Sequence, residues 1–436
     1  MAGVATAGLV LNGQEAEQHT GARLAPRHVP NALRAFWMDG LFAAAQDAFI
    51  LAYLPLLAHA LGASGMEVGL MAASQSLGGA LALYPGAMAA RRASSLRWVV
   101  VFYAGVGGRL ALLGSAFAVA FLDGNAALYS VILLFALRSF LQSFTVPAWT
   151  SMAADIIPPQ VRARYFASRN VAVQAATLAV TPLGGLLLDA SGFPGGYVMA
   201  LLVSFIFGMA ATLAYSRIPE PPRIVAPAAN KSHRPKPHKV LADPVFRNFV
   251  LGTLVLQFGA QITGPFFNIY LIEELGGANV IIGMVAMVAS LTGLASQFIC
   301  GELMARRGAV WMARASLLTQ PLIPLIWLGV SSPWLGLVPN LLGGFIWAGF
   351  NLANFQQQLE IAPEEDREEY IAVFHLCMFG ATLVAPFVGG ILVDSLGYRP
   401  TFLVSAVVRV VALAIFLFTT TARRPQPRVV PVEAAA

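Results

Sequence analysis

The chain alternates between long, nearly uninterrupted hydrophobic runs and short polar segments. Each run is close to the roughly twenty apolar residues that a helix needs to cross a lipid bilayer. The runs lack the short apolar–polar alternation of the strands in a membrane β-barrel. Twelve runs are found, approximately at residues 35–61, 66–90, 97–121, 126–150, 165–190, 195–216, 245–274, 279–305, 309–331, 334–358, 369–393 and 399–420. The pattern predicts an all-α membrane protein with twelve transmembrane helices.

The composition agrees with a membrane protein. Of the 436 residues, 58% are hydrophobic and 11% are charged, and the mean hydropathy is +0.71. Soluble domains usually contain about 25% charged residues. Cys300 and Cys377 both lie within apolar runs and predict neither a disulfide nor a zinc site. The chain has no Gly-Lys-Ser phosphate loop, no His-Glu-x-x-His helix and no serine elbow, so no enzyme activity, metal or cofactor is predicted.

Three polar segments divide the chain around two six-helix bundles. The N-terminal segment has no apolar core, so it is predicted to be a disordered tail rather than a signal peptide. The central segment contains PEPPRIVAPAANKSHRPKPHK, whose prolines and basic residues predict a linker. The predicted organisation is a tail at 1–33, an N-terminal bundle at 34–217, a cytoplasmic linker at 218–243, a C-terminal bundle at 244–421 and a second tail at 422–436.

Positive charges are unevenly distributed among the polar segments. The net charge is +6 and the isoelectric point is about 9.5. With helices of alternating direction, nearly all loop arginines and lysines fall on one side together with the linker and tails, and the opposite loops contain only Arg399. Because cytoplasmic loops carry the excess positive charge, both termini are predicted to be cytoplasmic, in a plasma or inner membrane. The excess of basic residues reflects the orientation of the chain in the membrane, and no nucleic-acid partner is predicted.

One stretch of about forty residues occurs twice in the chain. Residues 154–192 match a second stretch 205 positions further on (360 − 155), without a gap. A repeat whose period is half the chain predicts two related halves. The matched pairs include Asp155 with Glu360, Arg162 with Arg367, Gly184-Gly185 with Gly389-Gly390, and Asp189 with Asp394.

A second, shorter repeat lies in the loops after predicted helices 2 and 8. Gly-Ala-Met-Ala-Ala-Arg-Arg at 86–92 recurs as Gly-Glu-Leu-Met-Ala-Arg-Arg at 301–307. Together with the two six-helix halves, this pattern resembles the major facilitator superfamily over about residues 35–420. The family motif Gly-x-x-x-Asp-Arg-x-Gly-Arg-Arg keeps its first glycine and first arginine in both copies, but alanine replaces the acid of the family's cytoplasmic latch. The resemblance implies alternating access about a central site.

Charged residues at the cytoplasmic helix ends are candidates for gating. Asp155 and Glu360 each precede an arginine by seven residues within the repeat. This duplication predicts matched ion pairs that break in one access state. The candidate gating residues are Arg91, Arg306, Asp155, Arg162, Glu360 and Arg367.

Few charged residues lie within the apolar runs. A charge at mid-bilayer costs at least about 2.5–3.5 kcal/mol, so each one is a candidate functional residue. Asp47 of helix 1 and Arg138 of helix 4 resemble the coupling pair of several proton-linked members of the superfamily. Protonating Asp47 removes a buried charge and frees Arg138, which would link a proton to conformation. Alternatively, the two form a permanent structural ion pair, or Asp47 is simply hydrated in a cavity.

Three other polar residues in these runs have weaker signals. Arg109, in the middle of helix 3, is a further candidate of the coupling set. Three roles are open to it: binding an anionic substrate, neutralising Asp47 or forming a structural ion pair. The structural role is favoured. Asp39 and His59 are expected near the ends of helix 1, where side chains reach the interface by snorkelling.

Polar side chains at helical spacing are candidates for substrate binding. Gln257 and Gln261 are four residues apart, and so are Asn170 and Gln174, so each pair shares a helix face. Amides beside aromatic residues suit a neutral hydroxylated ligand, and alternatively they join helices to one another. The candidate set is Gln142, Asn170, Gln174, Gln257, Gln261, Asn268, Asn351, Asn354 and His375.

These features predict a secondary active transporter that moves a small solute by alternating access with proton coupling. The first alternative is a proton-driven multidrug efflux pump, which shares the fold and the charged pair. An alternative of another class is a non-transporting membrane receptor or scaffold on a transporter fold. The predicted partners are a small-molecule substrate, a proton and the lipid bilayer, and the protein is expected to be a monomer.

Overall fold

The computed structural model describes residues 29–157, 159–220, 237–363 and 367–419, and helices make up most of this part of the chain. Twelve helical segments of at least 20 residues are found there, besides the short helix Pro237–Val240, and they confirm the predicted all-α fold. They are α1 (Val29–Ala60), α2 (Gly65–Arg92), α3 (Leu96–Phe121), α4 (Gly124–Ile156), α5 (Pro159–Ser191), α6 (Gly195–Ser216), α7 (Pro244–Glu273), α8 (Asn279–Arg307), α9 (Ala309–Leu328), α10 (Leu337–Ile361), α11 (Arg367–Leu396) and α12 (Tyr398–Thr419). All except α2 are both long and apolar enough to span a membrane, and α2 has 28 residues.

The first helix begins earlier than the sequence predicts. The predicted tail extends through residue 33, whereas α1 begins at Val29. Proline is accepted in a first helical turn, and Ala32 is fully buried in the core, so packing extends the helix beyond the apolar run. Residues 1–28, 221–236 and 422–436 of the predicted tails and linker lie outside the described residues.

Local sequence sets several helix ends. Ser64 and Glu67 form a capping box at the start of α2. Asp243 caps α7, since its carboxylate accepts a hydrogen bond from the Val245 N–H at 3.0 Å. Pro265 interrupts α7, whose helical parts end at Thr263 and resume at Phe266. These features position the ends of α2 and α7.

The two ends of the helix bundle differ in charge. The end at which α1 begins and α12 ends is called the basic face, because Arg91 and Arg92 end α2 there and Arg306 and Arg307 end α8. The other end is called the opposite face. Helices α1–α6 form the N-terminal half and α7–α12 the C-terminal half.

Buried hydrophobic residues show how the halves are joined. At the opposite face one cluster combines residues of both halves, such as Tyr53 and Trp327. Toward the basic face each half has its own cluster, around Phe36 in the N-terminal half and Phe249 in the C-terminal half. The halves therefore share a core at the opposite face and have separate cores at the basic face.

Candidate functional site

An ion pair between α1 and α4 lies inside the N-terminal half. Arg138 Nη2 is 2.5 Å from Asp47 Oδ1. The side chain of Arg138 is 7% exposed and that of Asp47 is 33% exposed, so the acid is accessible while its partner is enclosed. Gln46 donates a hydrogen bond from Nε2 to the same carboxylate at 2.9 Å. The structure places the two predicted side chains in contact, and their coupling role stays a prediction.

Arg109 of α3 is buried between α3 and α6. Its Nε donates to the carbonyl oxygen of Gly208 at 3.2 Å, and its Nη1 donates to that of Ala104 at 2.6 Å. Ala104 belongs to the π-helical turn Val101–Gly107. Backbone carbonyls therefore hold this guanidinium, and Asp39 of α1 lines the same small cavity. This enclosure favours a structural role for Arg109 over substrate contact.

Asp39 lies deeper than the sequence predicts. Its carboxylate is 14% exposed and its Oδ2 is 3.8 Å from Arg169 Nη2 of α5. The expectation that Asp39 lies near the helix end and reaches the interface by snorkelling is wrong. Helix α1 begins at Val29, which places Asp39 ten residues into the helix. Arg169 also lies against Gly40, where an added Cβ would be 2.6 Å from the guanidinium carbon. Helix α5 thus covers this part of α1.

The predicted substrate-binding residues differ widely in exposure. Asn170, Asn351 and His375 are exposed, and Asn354 is buried. Within the described residues no hydrogen bond joins two side chains of this set, so the set is not a hydrogen-bonded cluster. The partly buried members are Gln142, Gln174, Gln257, Gln261 and Asn268.

Some members of this set pack between helices, and others are accessible to a ligand. Asn268 donates from Nδ2 to the carbonyl oxygen of Ala52 at 3.2 Å and so joins α7 to α1 across the halves. Asn354 Oδ1 is buried and has no hydrogen-bond partner among the described residues. Gln257 and Gln261 lie one turn apart on α7 and are partly exposed. Packing therefore accounts for Asn268, while Gln257 and Gln261 remain candidates for ligand contact.

Two predicted gating residues at the basic face make contacts within their own helices. Arg306 Nη2 is 2.8 Å from Glu302 Oε1, one turn earlier in α8. Glu360 accepts a hydrogen bond from Gln356 Nε2 at 3.1 Å in α10. Both contacts are exposed, and such pairs contribute little stability.

The remaining predicted gating residues also lie toward the basic face. Arg91 is exposed at the end of α2, and Asp155 is exposed near the end of α4. The side chains of Arg162 and Arg367 lie outside the described residues. The predicted ion pairs of the repeat therefore stay predictions.

At the opposite face, two carboxylates join the halves in a way that sequence reasoning missed. Asp394 of α11 accepts hydrogen bonds from the backbone N–H groups of Gly65 at 2.7 Å and Met66 at 2.8 Å, which begin α2. Asp189 of α5 accepts from the backbone N–H groups that begin α8, at 2.8 Å from Asn279 and 2.8 Å from the next residue. The repeat that aligns Asp394 with Asp189 was the available signal.

Glycines allow the helices of the two halves to meet closely at this face. A Cβ at Gly69 of α2 would lie 2.3 Å from the carbonyl oxygen of Pro386, and a Cβ at Gly390 of α11 would lie 2.2 Å from that of Gly65. On the other side of the bundle, a Cβ at Gly185 of α5 would lie 2.7 Å from a carbonyl oxygen of α8. The backbones are thus in direct contact, and the opposite face is closed.

Two six-helix halves joined at one face, with a charged pair inside the N-terminal half, define a multi-pass membrane transporter rather than an enzyme. The model of the Major Facilitator Superfamily matches residues 37–256 and 249–435. The chain therefore belongs to that superfamily, and the resemblance seen in its sequence is confirmed.

Curated relatives of the chain include bacterial pumps. It is 24% identical over 386 residues to the multi-drug resistance efflux pump PmrA of Streptococcus pneumoniae serotype 4, which covers 85% of this chain and 91% of the relative. It is also 24% identical over 375 residues to the PmrA homolog of Lactococcus lactis subsp. lactis, covering 83% of this chain and 88% of the relative.

Solved structures with this fold include transporters of different cargo. The nucleoside transporter NupG superposes with a TM-score of 0.73 at 15% identity, covering 90% of this chain and 100% of NupG. A bacterial homologue of the iron transporter ferroportin in an inward-facing state gives a TM-score of 0.73 at 16% identity, covering 90% and 99%. At such identities the likeness establishes the fold alone.

Proposed function

We propose that this protein is a proton-coupled secondary transporter that exports small organic molecules. The observation that supports coupling is the Asp47–Arg138 ion pair, in which the acid is accessible and the arginine is enclosed. The direction of transport and the substrate class are supported by similarity to multidrug efflux pumps over most of the chain.

The electrostatics of this pair supports proton coupling. Ionised Asp47 compensates the enclosed guanidinium of Arg138. When Asp47 binds a proton, Arg138 loses its counter-charge, and a different arrangement of α1 and α4 becomes more favourable. A cationic or polar substrate that displaces the proton reverses this change. Proton and substrate then exchange at one site, as an exporter driven by an inward proton gradient requires.

The orientation in the membrane follows from charge placement. The basic face is assigned to the cytoplasm of a plasma membrane, with both termini on that side, because cytoplasmic loops carry excess arginine and lysine. Closure at the opposite face then corresponds to the state in which an exporter takes substrate from the cytoplasm. The transporting unit is a monomer, because one chain contains both halves and the charged pair.

The test uses purified protein in proteoliposomes and ethidium as a lipophilic cation. Wild-type protein is expected to accumulate ethidium when a proton gradient is imposed, and a protonophore is expected to abolish accumulation. Asp47→Asn should lose the gradient dependence but retain ethidium exchange between the two sides. Asp123→Asn, an exposed acid before α4, is the control and should behave as wild type. Gradient-driven accumulation by Asp47→Asn would refute the coupling role.

A second candidate function is proton-linked transport of a neutral hydroxylated solute. The observation that favours it is the pair of partly exposed amides, Gln257 and Gln261, on one face of α7. A ligand that binds the folded state raises its melting temperature, so a panel of sugars, nucleosides and lipophilic cations separates the two functions. Stabilisation by hydroxylated solutes alone would favour this candidate. Stabilisation without transport would favour a receptor.

A further inference from the structure

Asp39 is a largely enclosed acid, with 14% of its side chain exposed, and it has no part in the proposed coupling mechanism. It lies eight residues before Asp47 on α1, nearer to the basic face. Arg169 is 3.8 Å away, which is beyond hydrogen-bonding distance. None of the described residues donates a hydrogen bond to this carboxylate. An enclosed carboxylate whose ion pair with Arg169 spans 3.8 Å, and which accepts no hydrogen bond from the described residues, is costly to keep ionised, and a bound proton relieves that cost.

The groups that face Asp39 come from three helices. Arg169 of α5 forms the ion pair, Arg109 of α3 and Tyr215 of α6 line the same cavity as Asp39, and Tyr165 of α5 contacts the same helix. Tyr165 donates to a backbone carbonyl of α1 at 2.7 Å, and Tyr215 donates to a methionine sulfur of α4 at 3.2 Å. Arg109 donates to the carbonyls of α3 and α6. Because these donors are engaged elsewhere, none of them holds the ionised carboxylate of Asp39 by a hydrogen bond.

A cavity of about 30 Å³ adjoins Asp39 between α1, α3 and α6. Arg109, Thr212 and Tyr215 also line it. This volume can hold a water molecule, and the carboxylate, guanidinium and hydroxyl groups are the polar partners that a buried water needs. Part of the α3 wall comes from the π-helical turn Val101–Gly107, a type of turn that is frequent at functional sites. The cavity can therefore hold a proton carrier beside the acid.

Arg109 and Gln46 connect this cavity with the coupling pair. Both side chains converge at Gly208 of α6, where an added Cβ would lie 2.1 Å from Gln46 Oε1 and 3.0 Å from Arg109 Nε. Gln46 in turn donates to Asp47. Arg109 therefore lies between the two acids of α1, because it shares the cavity with Asp39 and meets at Gly208 the side chain that binds Asp47. When charged groups interact in this way, a proton on one acid changes the proton affinity of the other.

We propose that Asp39 is a second proton-binding residue of this protein, coupled to Asp47 through Arg109 and served by water in the α1–α3–α6 cavity. The step is a proton transfer alone, in which hydronium gives a proton to the Asp39 carboxylate and water later takes it back. Its contribution to transport rests on the proposed function, whereas protonation of Asp39 itself does not.

The test is infrared difference spectroscopy of the purified full-length protein in lipid, with protons as the only ligand. The band of buried protonated carboxyl groups is followed between about pH 8 and about pH 5. Asp39→Asn is expected to remove one component of this band, and Asp39→Glu is expected to restore it. In Asp47→Asn the Asp39 component is expected to remain, and the pH at its midpoint is expected to shift. The reason is that Arg109 then interacts with one acid instead of two. Asp123→Asn, at an exposed acid of the opposite face that caps no backbone amide, is the control and should leave the band unchanged.

Two results would overturn the inference. An unchanged band in Asp39→Asn, with only a lower melting temperature, would make Asp39 a structural partner of Arg169. An unshifted Asp39 midpoint in Asp47→Asn would remove the coupling through Arg109. Failure of the proposed function gives a different result. Wild-type protein would then not transport ethidium, but the infrared band of Asp39 would remain.

Discussion

Asp189 and Asp394 occupy equivalent positions in the two halves, 205 residues apart (394 − 189), and each caps the first turn of a helix in the other half. The first N–H groups of a helix have no partner within it, and a carboxylate there also interacts favourably with the helix dipole. Each cap uses donors that become free when the halves separate. The two aspartates therefore stabilise closure of the opposite face without a salt bridge.

Removing a cap should shift the protein toward opening at the opposite face. Loss of an N-cap costs about 0.5–2 kcal/mol, so Asp394→Ala should increase the open population by roughly fivefold, and Asp189→Ala with Asp394→Ala by more. Spin labels at Ala126→Cys and Ser331→Cys, on the two halves, would report the distance at this face after replacement of Cys300 and Cys377.

Asp123→Ala is the matched control for the caps. Asp123 is an exposed acid at the same face, and its side chain caps no backbone amide. It should leave the distance distribution unchanged. Identical distributions for Asp394→Ala and wild type would show that the caps do not hold this face closed.

Close backbone contact between α2 and α11 leads to a second prediction. Gly390→Ala would place a Cβ 2.2 Å from the carbonyl oxygen of Gly65, and backbone cannot move aside cheaply. The variant should populate the open state at the labelled face and melt at a lower temperature. Gly380→Ala on the same helix is the control, because nothing lies within 4 Å of its Cβ. An equal response of the two variants would contradict the packing argument.

The fold was largely predictable because a membrane restricts the secondary structures that a chain can adopt within it. Apolar runs of membrane length predict helices, since each backbone polar group must be satisfied within its own segment. The repeat at residues 154–192 predicts the two halves, and it aligns Asp394 with Asp189. It does not predict what they bind, because their partners are backbone N–H groups, which leave no signature in the sequence.

The charged residues of α1 show the same limit within the site. Asp47 could be predicted as a partner of Arg138 because charges deep in apolar runs are few. The environment of Asp39 could not be predicted, because the apolar run begins at residue 35 whereas the helix begins at Val29. Its surroundings depend on the π-helical turn of α3 and the packing of α5, which are tertiary features.

A double-mutant cycle measures the interaction between Asp47 and Arg138. Asp47→Asn leaves an enclosed guanidinium without its counter-charge, whereas Arg138→Ala leaves an acid that solvent already reaches. Asp47→Asn should therefore lower the melting temperature more than Arg138→Ala. Residues in contact show interaction energies of about 0.5–3 kcal/mol, and the double variant should be more stable than the sum of the single effects predicts. Strict additivity in thermal unfolding would mean that the pair contributes no coupling energy.

The amides of α7 lead to the last prediction, which separates ligand contact from helix packing. Gln261 is partly exposed, so Gln261→Ala should weaken ligand binding and leave the melting temperature of the free protein nearly unchanged. Gln357 of α10 is the matched control, because it is 1% exposed and donates to the carbonyl oxygen of Ala309 at 3.2 Å. Gln357→Ala should lower the melting temperature, since loss of a buried hydrogen bond leaves an acceptor unsatisfied at a cost of about 1–3 kcal/mol.

Binding of ethidium and of uridine, a neutral hydroxylated solute, would be measured for both variants by titration calorimetry. Weaker uridine binding by Gln261→Ala alone would support the second candidate function, because an amide recognises hydroxyl and carbonyl groups by hydrogen bonding. Weaker ethidium binding would place Gln261 in the site of the proposed exporter. A lower melting temperature of Gln261→Ala with unchanged binding of both compounds would assign this residue to packing between helices instead.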